Sequence, residues 1–176
     1  MRNWLQGEHC RLLPLERAHL EHRVRWLNDP DVQATLNFDF PLSIAKTQRW
    51  FDKVVTDPSR RDFTIATADG VLVGIAGILN IDYRSSKAEL YCTIGEKAFW
   101  GKGLATETYR ILAAYAFSEL GLRRLYIFTH SAATAHIMKK LGWTHEGTLR
   151  QDIWSHGRYV DRKIFSLLRT DNETPE

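Results

Sequence analysis

The stretch Phe99-Trp100-Gly101-Lys102-Gly103-Leu104-Ala105-Thr106-Glu107 holds the residues of this 176-residue chain whose types and spacing could do chemistry. It joins the end of a strand-like segment to the start of a helix-like one. Two glycines two apart allow a tight bend with no side chain in the way. Their N–H groups, with those of the first helical turn, can then point into one hollow. A helix start also carries partial positive charge. Such a hollow suits a phosphate or pyrophosphate, and Lys102 would add a point charge at its rim. The same two glycines equally fit a plain tight turn, because a short Gly-x-Gly is a weak signal. No Gly-Lys-Ser/Thr follows, so this is not a P-loop, and the third glycine of a dinucleotide fingerprint is missing.

The elements that must position this loop can be read from periodicity. Cys10 to Leu15 reads as a strand and Glu16 to Leu27 as a helix, broken by Asn28-Asp29-Pro30. Ser43 is a plausible N-cap for a helix through Trp50, Phe51 and Val54 that stops before Pro58. Asp62 to Ala68 and Val71 to Ile81 are strands joined by an Asp69-Gly70 hairpin turn. Ala88 to Gly95 is a fourth strand. Ala105 to Leu120 is a helix with Gly121 as its C-cap candidate. Arg124 to Thr129 is a strand, and Ala133 to Leu141 a helix ended by Gly142. Trp143 to Trp154 and Tyr159 to Leu168 form a closing hairpin. The order β-α-α-β-β-β-α-β-α-β-β predicts an α/β protein with one mixed sheet and helices on both faces, and argues against a doubly wound all-parallel sheet.

Length predicts one domain over residues 1–170, with an unstructured polar tail at 171–176. The hydrophobic share is 44%, the charged share 26% and the formal charge +3. That surplus gives no argument for a nucleic-acid or membrane partner. Arg60-Arg61 and Arg123-Arg124 read as solvated pairs. No apolar run approaches the roughly 20 residues of a membrane helix. Met1 to Trp4 lacks the apolar stretch of a signal peptide. Cys10 and Cys92 lie in separate strand-like segments without metal spacing, and the histidines form no ligand cluster. They read as free thiols of a reducing compartment, which predicts a cytoplasmic protein without a metal.

Trp100 to Glu107 resembles the coenzyme A pyrophosphate loop of the GNAT superfamily of N-acetyltransferases. Trp100 stands where the usual pattern has Gln or Arg, as in the branch of the ribosomal-protein N-terminal acetyltransferases. Diamine and amino-sugar acetyltransferases are similar. His136-Ile137-Met138-Lys139-Lys140-Leu141-Gly142-Trp143, Glu146 to Arg150, and the Gly157 to Asp161 hairpin are similar to that branch's ending. The resemblance implies a sheet splayed between its fourth and fifth strands with coenzyme A in the gap. It implies transfer of acetyl from acetyl-coenzyme A to a primary amine, either a small molecule such as an amino sugar or polyamine, or a protein N-terminus. Dimers are common among such proteins. A non-catalytic acyl-coenzyme A sensor is the alternative.

A free alkyl amine has a pKa near ~10, so a base must take its proton. Glu89, on the fourth strand, is the candidate base, and a strand glutamate paired to a lysine is the plainer reading of it. Tyr91 shares its face by two-residue alternation and could line the amine pocket. The resemblance implies that backbone groups of Cys92, Thr93 and Ile94 hold the pantetheine arm and the thioester carbonyl. It also implies cofactor contacts from Trp100, Gly101, Lys102, Gly103, Leu104, Ala105 and Thr106, and from Ser131 and Lys139. Many relatives have Asn where Ser131 stands. The family's acid tyrosine is replaced by Met138, which supports the sensor alternative. Thr134 falls where some relatives have a serine proposed as the acid, although helix capping also explains it. His136 titrates usefully but reads as exposed. The amine pocket is sought among Trp26, Asn28, Asp29, Asp31, Phe38, Asp39, Phe40, Trp154 and Tyr159, where the aspartates could hold a polyamine and the aromatics could equally fill the core.

Overall fold

The structure is a computed structural model and describes residues 5–36, 40–155 and 157–172. Phe38 and Asp39, named above for the amine pocket, the first four residues and residues 173–176 of the predicted tail lie outside the described residues. Seven strands form one sheet: β1 (Cys10–Pro14), β2 (Arg61–Thr67), β3 (Leu72–Asp82), β4 (Lys87–Ile94), β5 (Arg124–Thr129), β6 (Thr144–Ser155) and β7 (Arg158–Leu168). Their order across the sheet is β1-β2-β3-β4-β5-β7-β6. All neighbours are antiparallel except β4 and β5. That parallel join needs a crossover, which α4 (Leu104–Ser118) supplies.

The β4–β5 join is short. Lys87 pairs with Arg124, Ala88 with Leu125 and Glu89 with Tyr126, and the strands then part. β5 keeps pairing with β7 along its whole length, from Arg124↔Leu168 to Thr129↔Lys163. The sheet is therefore split into two leaves hinged at Glu89, as expected, and the β5-facing edge of Leu90 to Ile94 borders a wedge.

α4 covers one face of this sheet. Leu104, Thr108, Ile111, Leu112 and Ala116 recur at three- and four-residue spacing and are all buried. The four apolar ones pack in one core with Phe63, Ile65, Ile78, Leu90, Leu125 and Phe165, and α5 (Ala132–Lys140) adds Ala135 and Met138 to it. Leu112 is fully buried, so Leu112→Ala would cost about 2–5 kcal/mol. On the other face lie α1 (Leu20–Leu27), α2 (Pro30–Gln33) and α3 (Ile44–Val54). Trp26, Leu27 and Val32 pack there on Ile75 of β3.

Three local readings change. Pro30 does not simply break the chain. It is the first residue of α2, whose N-cap Asp29 accepts the Asp31 N–H at 2.9 Å. Asp171 and Asn172 do not begin the predicted unstructured tail, because with Arg169 and Thr170 they form a 3-10 turn closed by the Leu168 N–H on Asp171 at 2.8 Å. Arg60 and Arg124 are not solvated. Arg60 is forked onto Asp62 at 2.7 and 2.8 Å, and Arg124 onto Glu146 at 2.6 Å twice.

Candidate active site

The glycine loop ends in an open helix start. Gly101 and Gly103 have φ of +73° and +81°, a backbone that only glycine adopts at no cost. Gly103 is the N-cap of α4 and offers no side-chain acceptor, so the first amides of α4 have no cap from its own sequence. A Cβ built on either glycine would meet nothing within 4 Å. The loop is pinned to the end of β4 by the Trp100 indole N–H, which donates to the Ile94 carbonyl at 2.8 Å. Glu107 acts in the other direction. Its carboxylate accepts the Glu8 N–H at 2.5 Å and the His9 N–H at 3.1 Å, tying the chain before β1 to α4. That role for a residue of the glycine motif was not legible in sequence.

A cavity of about 420 Å³ opens over this loop. Of the predicted cofactor residues, Cys92, Thr93 and Ile94 from β4 line it, as do Trp100, Gly101, Gly103, Leu104, Ala105 and Thr106 from the loop and Ser131 from the start of α5. Ser131 is the residue that caps α5, accepting the Thr134 N–H at 3.3 Å, so Thr134 is not the cap. Two predicted residues do not line the cavity. Lys102 lies over the Phe99 ring, 4.8 Å from its centroid. Lys139 is rotated away, since the residues of α5 on the cavity are Ala133, Thr134, His136, Ile137 and Lys140, spaced by the helical repeat. Lys140, not Lys139, lines this cavity.

A second cavity of about 320 Å³ occupies the wedge. The two share Thr35, Cys92, Thr93 and Thr134, so they meet at β4. Glu89 and Tyr91 both line the second cavity. Glu89 is half-buried, and burial raises its carboxyl above the ordinary range, against the opposing pull of Asn80 and Arg162. Asn80, at φ +52° where the β3–β4 register shifts, donates to Glu89 Oε2 at 3.0 Å. Glu89 is thus not a lysine-paired strand glutamate. The Tyr91 hydroxyl donates to Asp62 at 2.7 Å, and burial holds its pKa far above normal. Burial also pushes the Cys92 thiol well up, against its use as a nucleophile.

The remaining wall corrects the sequence reading. Trp26, Asn28, Asp29, Asp31, Phe40, Trp154 and Tyr159 do not line the cavity. Asn28 exchanges hydrogen bonds with the Leu42 backbone, both at 2.8 Å. Asp29 and Asp31 both pair with Lys97, at 2.9 and 2.7 Å. Trp154 and Tyr159 are exposed and stack edge-on at 4.8 Å. In their place stand Arg23, Trp50, Arg60, His130 and Arg162, which the sequence did not single out, together with Tyr109. Met138 is completely buried in the core, away from both cavities. Tyr109 comes from α4, is 4% exposed, and its hydroxyl lies beside the Cys92 backbone amide. Two features point to it: it follows the glycine loop by about two helical turns, and it is the one phenol on the buried stripe of α4.

A model of the acetyltransferase (GNAT) domain matches residues 9–144. Spermidine N(1)-acetyltransferase of Escherichia coli K12 is 30% identical over 152 residues, 85% of this chain and 80% of that protein. A putative ribosomal N-acetyltransferase of Bacillus subtilis, YdaF, is 34% identical over 107 residues, 60% of this chain and 58% of that one. The crystal structure of spermidine N-acetyltransferase from Vibrio cholerae in complex with CoA and spermine superimposes with a TM-score of 0.85 at 25% identity, covering 92% of this chain and 96% of the other. A sheet split at one parallel join, a glycine loop feeding a bare helix start, and sequence similarity along most of the chain all point the same way: this chain belongs to the GNAT family and is an acetyl-coenzyme A-dependent N-acetyltransferase.

Proposed function

We propose that the chain acetylates a small primary amine held in the wedge cavity, with Glu89 as the base. The observation that carries this reading is the meeting of the two cavities at Cys92 and Thr93, with the glycine loop at one end and a half-buried carboxylate at the other. Acetyl-coenzyme A supplies the activated acyl group, and the residues around the larger cavity fit it. The uncapped amides of Leu104, Ala105 and Thr106 suit its pyrophosphate, and the unpaired β4 edge suits its pantetheine arm. Glu89 takes the ammonium proton and leaves a nucleophilic amine. A raised pKa brings it nearer the working pH, where a carboxylate is a better base. Backbone N–H groups of β4 stabilise the oxygen that gains charge during attack. Thr134, at the junction of the cavities, and Tyr109 are the hydroxyls available to protonate the departing sulfur. A phenol is the more acidic of the two in water, and burial pushes the Tyr109 pKa well above that ordinary value. Tyr91 shapes the amine pocket.

The domain extends beyond the matched residues to about residue 170, because β7 pairs along all of β5. Dimerisation is included in the proposal. β6 is a twelve-residue edge strand, and Leu149, Trp154 and Tyr159 stand exposed along its hairpin. A cytoplasmic location is included too: no helix among the described residues is long and apolar enough to cross a membrane, and Cys10 and Cys92 are free thiols. No nucleic-acid or membrane partner is proposed.

A thermal-shift titration with acetyl-coenzyme A, coenzyme A and ATP, followed by thiol release with candidate amines, tests the reading. Stabilisation by both coenzyme A forms and not by ATP is the expected result. Absence of any shift at millimolar acetyl-coenzyme A would refute the cofactor site. Stabilisation without turnover of any amine would favour the sensor alternative.

A further inference from the structure

The charges around the wedge cavity do not cancel evenly. Four charged side chains line it: Arg23, Arg60, Glu89 and Arg162. Arg60 is spent on Asp62 through two hydrogen bonds. The Tyr91 hydroxyl adds a third to the same carboxylate, so Asp62 is saturated. Arg162 is ion-paired with Asp152 through Nε at 2.5 Å, although that contact lacks hydrogen-bond geometry. Among the described residues two opposite charges remain: Glu89, which accepts the Asn80 amide, and Arg23.

Arg23 is 7% exposed. Its guanidinium lies over the Trp50 ring, 4.1 Å from the centroid, and among the described residues it has neither an ion pair nor a hydrogen-bond acceptor. Stacking uses the flat face of a guanidinium. The five N–H donors lie in its plane and point outward, so the stack leaves them unspent. A buried cation in this state is costly, and burial accordingly lowers its pKa. A guanidinium still holds its proton at neutral pH. A second polar atom in the same wall is also without a partner: His130 Nε2 is buried and accepts or donates no hydrogen bond among the described residues.

We infer that the acceptor amine carries an anionic group, a carboxylate or a phosphate, which the Arg23 guanidinium binds while Glu89 faces the amine. The inference rests on the acetyl-transfer reading above. Glu89 and Tyr91 are two residues apart on one face of β4, roughly 7 Å, and Arg23 lines the same cavity within electrostatic reach of Tyr91 and Asp62. The two charges on the acceptor are therefore separated by only a few bonds. The cavity of about 320 Å³ is at the small end of ligand sites. A polyamine fits this wall poorly. Its second and third ammonium groups would meet Arg23 and, among the described residues, find no free carboxylate beyond Glu89, because Asp29 and Asp31 are held by Lys97 outside the cavity. The substrate named for the spermidine acetyltransferases is thus not the one this cavity selects.

The test uses matched amines that differ only in the anion: glucosamine 6-phosphate against glucosamine, phenylalanine against phenethylamine, and spermidine alone. Binding is read by thermal shift on the coenzyme A complex and turnover by thiol release with acetyl-coenzyme A. At least one anionic member should exceed its neutral partner in kcat/KM by roughly 10- to 100-fold, the range of one charge-assisted contact. The pair that responds tells phosphate from carboxylate. Arg23→Gln should raise KM for the anionic acceptor by a similar factor and so remove most of its advantage over the neutral amine, while Arg23→Lys restores part of that advantage. The acetyl-coenzyme A shift of each variant reports whether it is folded, and the wild-type ratios decide the matter if it is not. Turnover of spermidine or of the neutral amines equal to that of the anionic ones overturns the inference, as does no response to any anionic probe. Anion-dependent binding without thiol release would uphold the Arg23 site and sink the transfer reading instead.

Discussion

Replacing Gly103 by leucine should abolish coenzyme A binding and leave the protein folded. Gly103 sits at φ +81°, and a side chain there meets nothing within 4 Å, so the substitution causes no clash in the free protein. Its cost is the left-handed backbone, about 1–2 kcal/mol for a residue with a Cβ. In a chain of this length 1 kcal/mol moves Tm by about 2–4 °C, so the free variant should melt about 2–8 °C lower. Gly121 provides the control. It has φ +64°, also with nothing within 4 Å, but lies beyond the far end of α4, roughly 20 Å from the loop. Gly121→Leu carries the same strain without a side chain in the anion hollow. At a hundred times the dissociation constant, ligand stabilises the folded state by about 2.7 kcal/mol, or about 5–11 °C here. Differential scanning fluorimetry with coenzyme A should show that gain for wild type and for Gly121→Leu, and none for Gly103→Leu. If Gly103→Leu kept most of the gain, the loop amides would not be the pyrophosphate site.

Glu89→Gln should lower kcat by about 10²–10⁴ with an unchanged coenzyme A dissociation constant, because it removes the base and not the loop. A wild-type rate would dismiss Glu89. Burial raises the Glu89 pKa, so the ionised, active form is lost as pH falls through a value above the usual carboxylate range. The acid limb of the wild-type kcat/KM profile should report that raised value, and Glu89→Gln should flatten it. Tyr109→Phe and Thr134→Ala, compared in the same thiol-release assay, separate the two hydroxyls. The larger kcat loss, expected for Tyr109→Phe, identifies the proton donor, and a loss in neither leaves solvent to protonate the sulfur. Glu146 is held at a pKa of about 2 by Arg124 first and Ser166 second, against an ordinary 4.5. A carboxyl depressed in the folded state stabilises it fully above about pH 4.5, and that stabilisation is lost as pH falls toward 2. With its side chain a third exposed, the contribution is about 1–2 kcal/mol after screening. Glu146→Gln should therefore lower Tm at pH 7 and flatten the fall in stability on acidification, as measured by calorimetry.

The elements that proved legible carry their own punctuation. α4 announces itself by an apolar stripe between Gly103 and Gly121, and the β2–β3 hairpin by Asp69-Gly70, whose glycine takes φ +93°. The glycine-loop side of the cleft was readable for the same reason: backbone conformation makes it, and glycines mark backbone conformation. The acceptor side was not readable. Its wall takes Arg23 from α1, Trp50 from α3, Glu89 from β4 and Arg162 from β7, residues far apart in sequence that no spacing rule connects. Arg60 was misread for a related reason. Beside Arg61 it looks like a solvated pair, yet it pairs with Asp62 and packs over Trp50, and strand alternation turns neighbours to opposite faces. Lys139 and Lys140 differ by one position on a helix, which is 100° of rotation and enough to put one on the cavity and the other in solvent.

The short β4–β5 join explains why stability and chemistry can be changed separately. Its closed end is tied down several times over. The Arg123 and Arg124 N–H groups both donate to the Ser86 carbonyl, at 2.7 and 3.1 Å. Arg124 also pairs in register with Lys87 and with Leu168, and its guanidinium bridges to Glu146, which accepts the Ser166 hydroxyl at 2.7 Å. One residue thus links β4, β5, β6 and β7 where the wedge begins. Two residues further along, at Glu89↔Tyr126, pairing stops, and every group assigned to the reaction lies at or beyond that point. The β4 edge past Glu89 gives up its sheet hydrogen bonds to β5, a real loss for a central strand. Part of that loss is made good by the Tyr109 hydroxyl beside the Cys92 amide, and the rest of the edge is left for a ligand. A substitution on the Arg124–Glu146–Ser166 side should therefore move Tm while sparing kcat, whereas Glu89→Gln should move kcat while sparing Tm. If Glu146→Gln instead lowered kcat as strongly as Glu89→Gln in protein shown to be folded, the closed end would be part of the chemical machinery and not only its hinge.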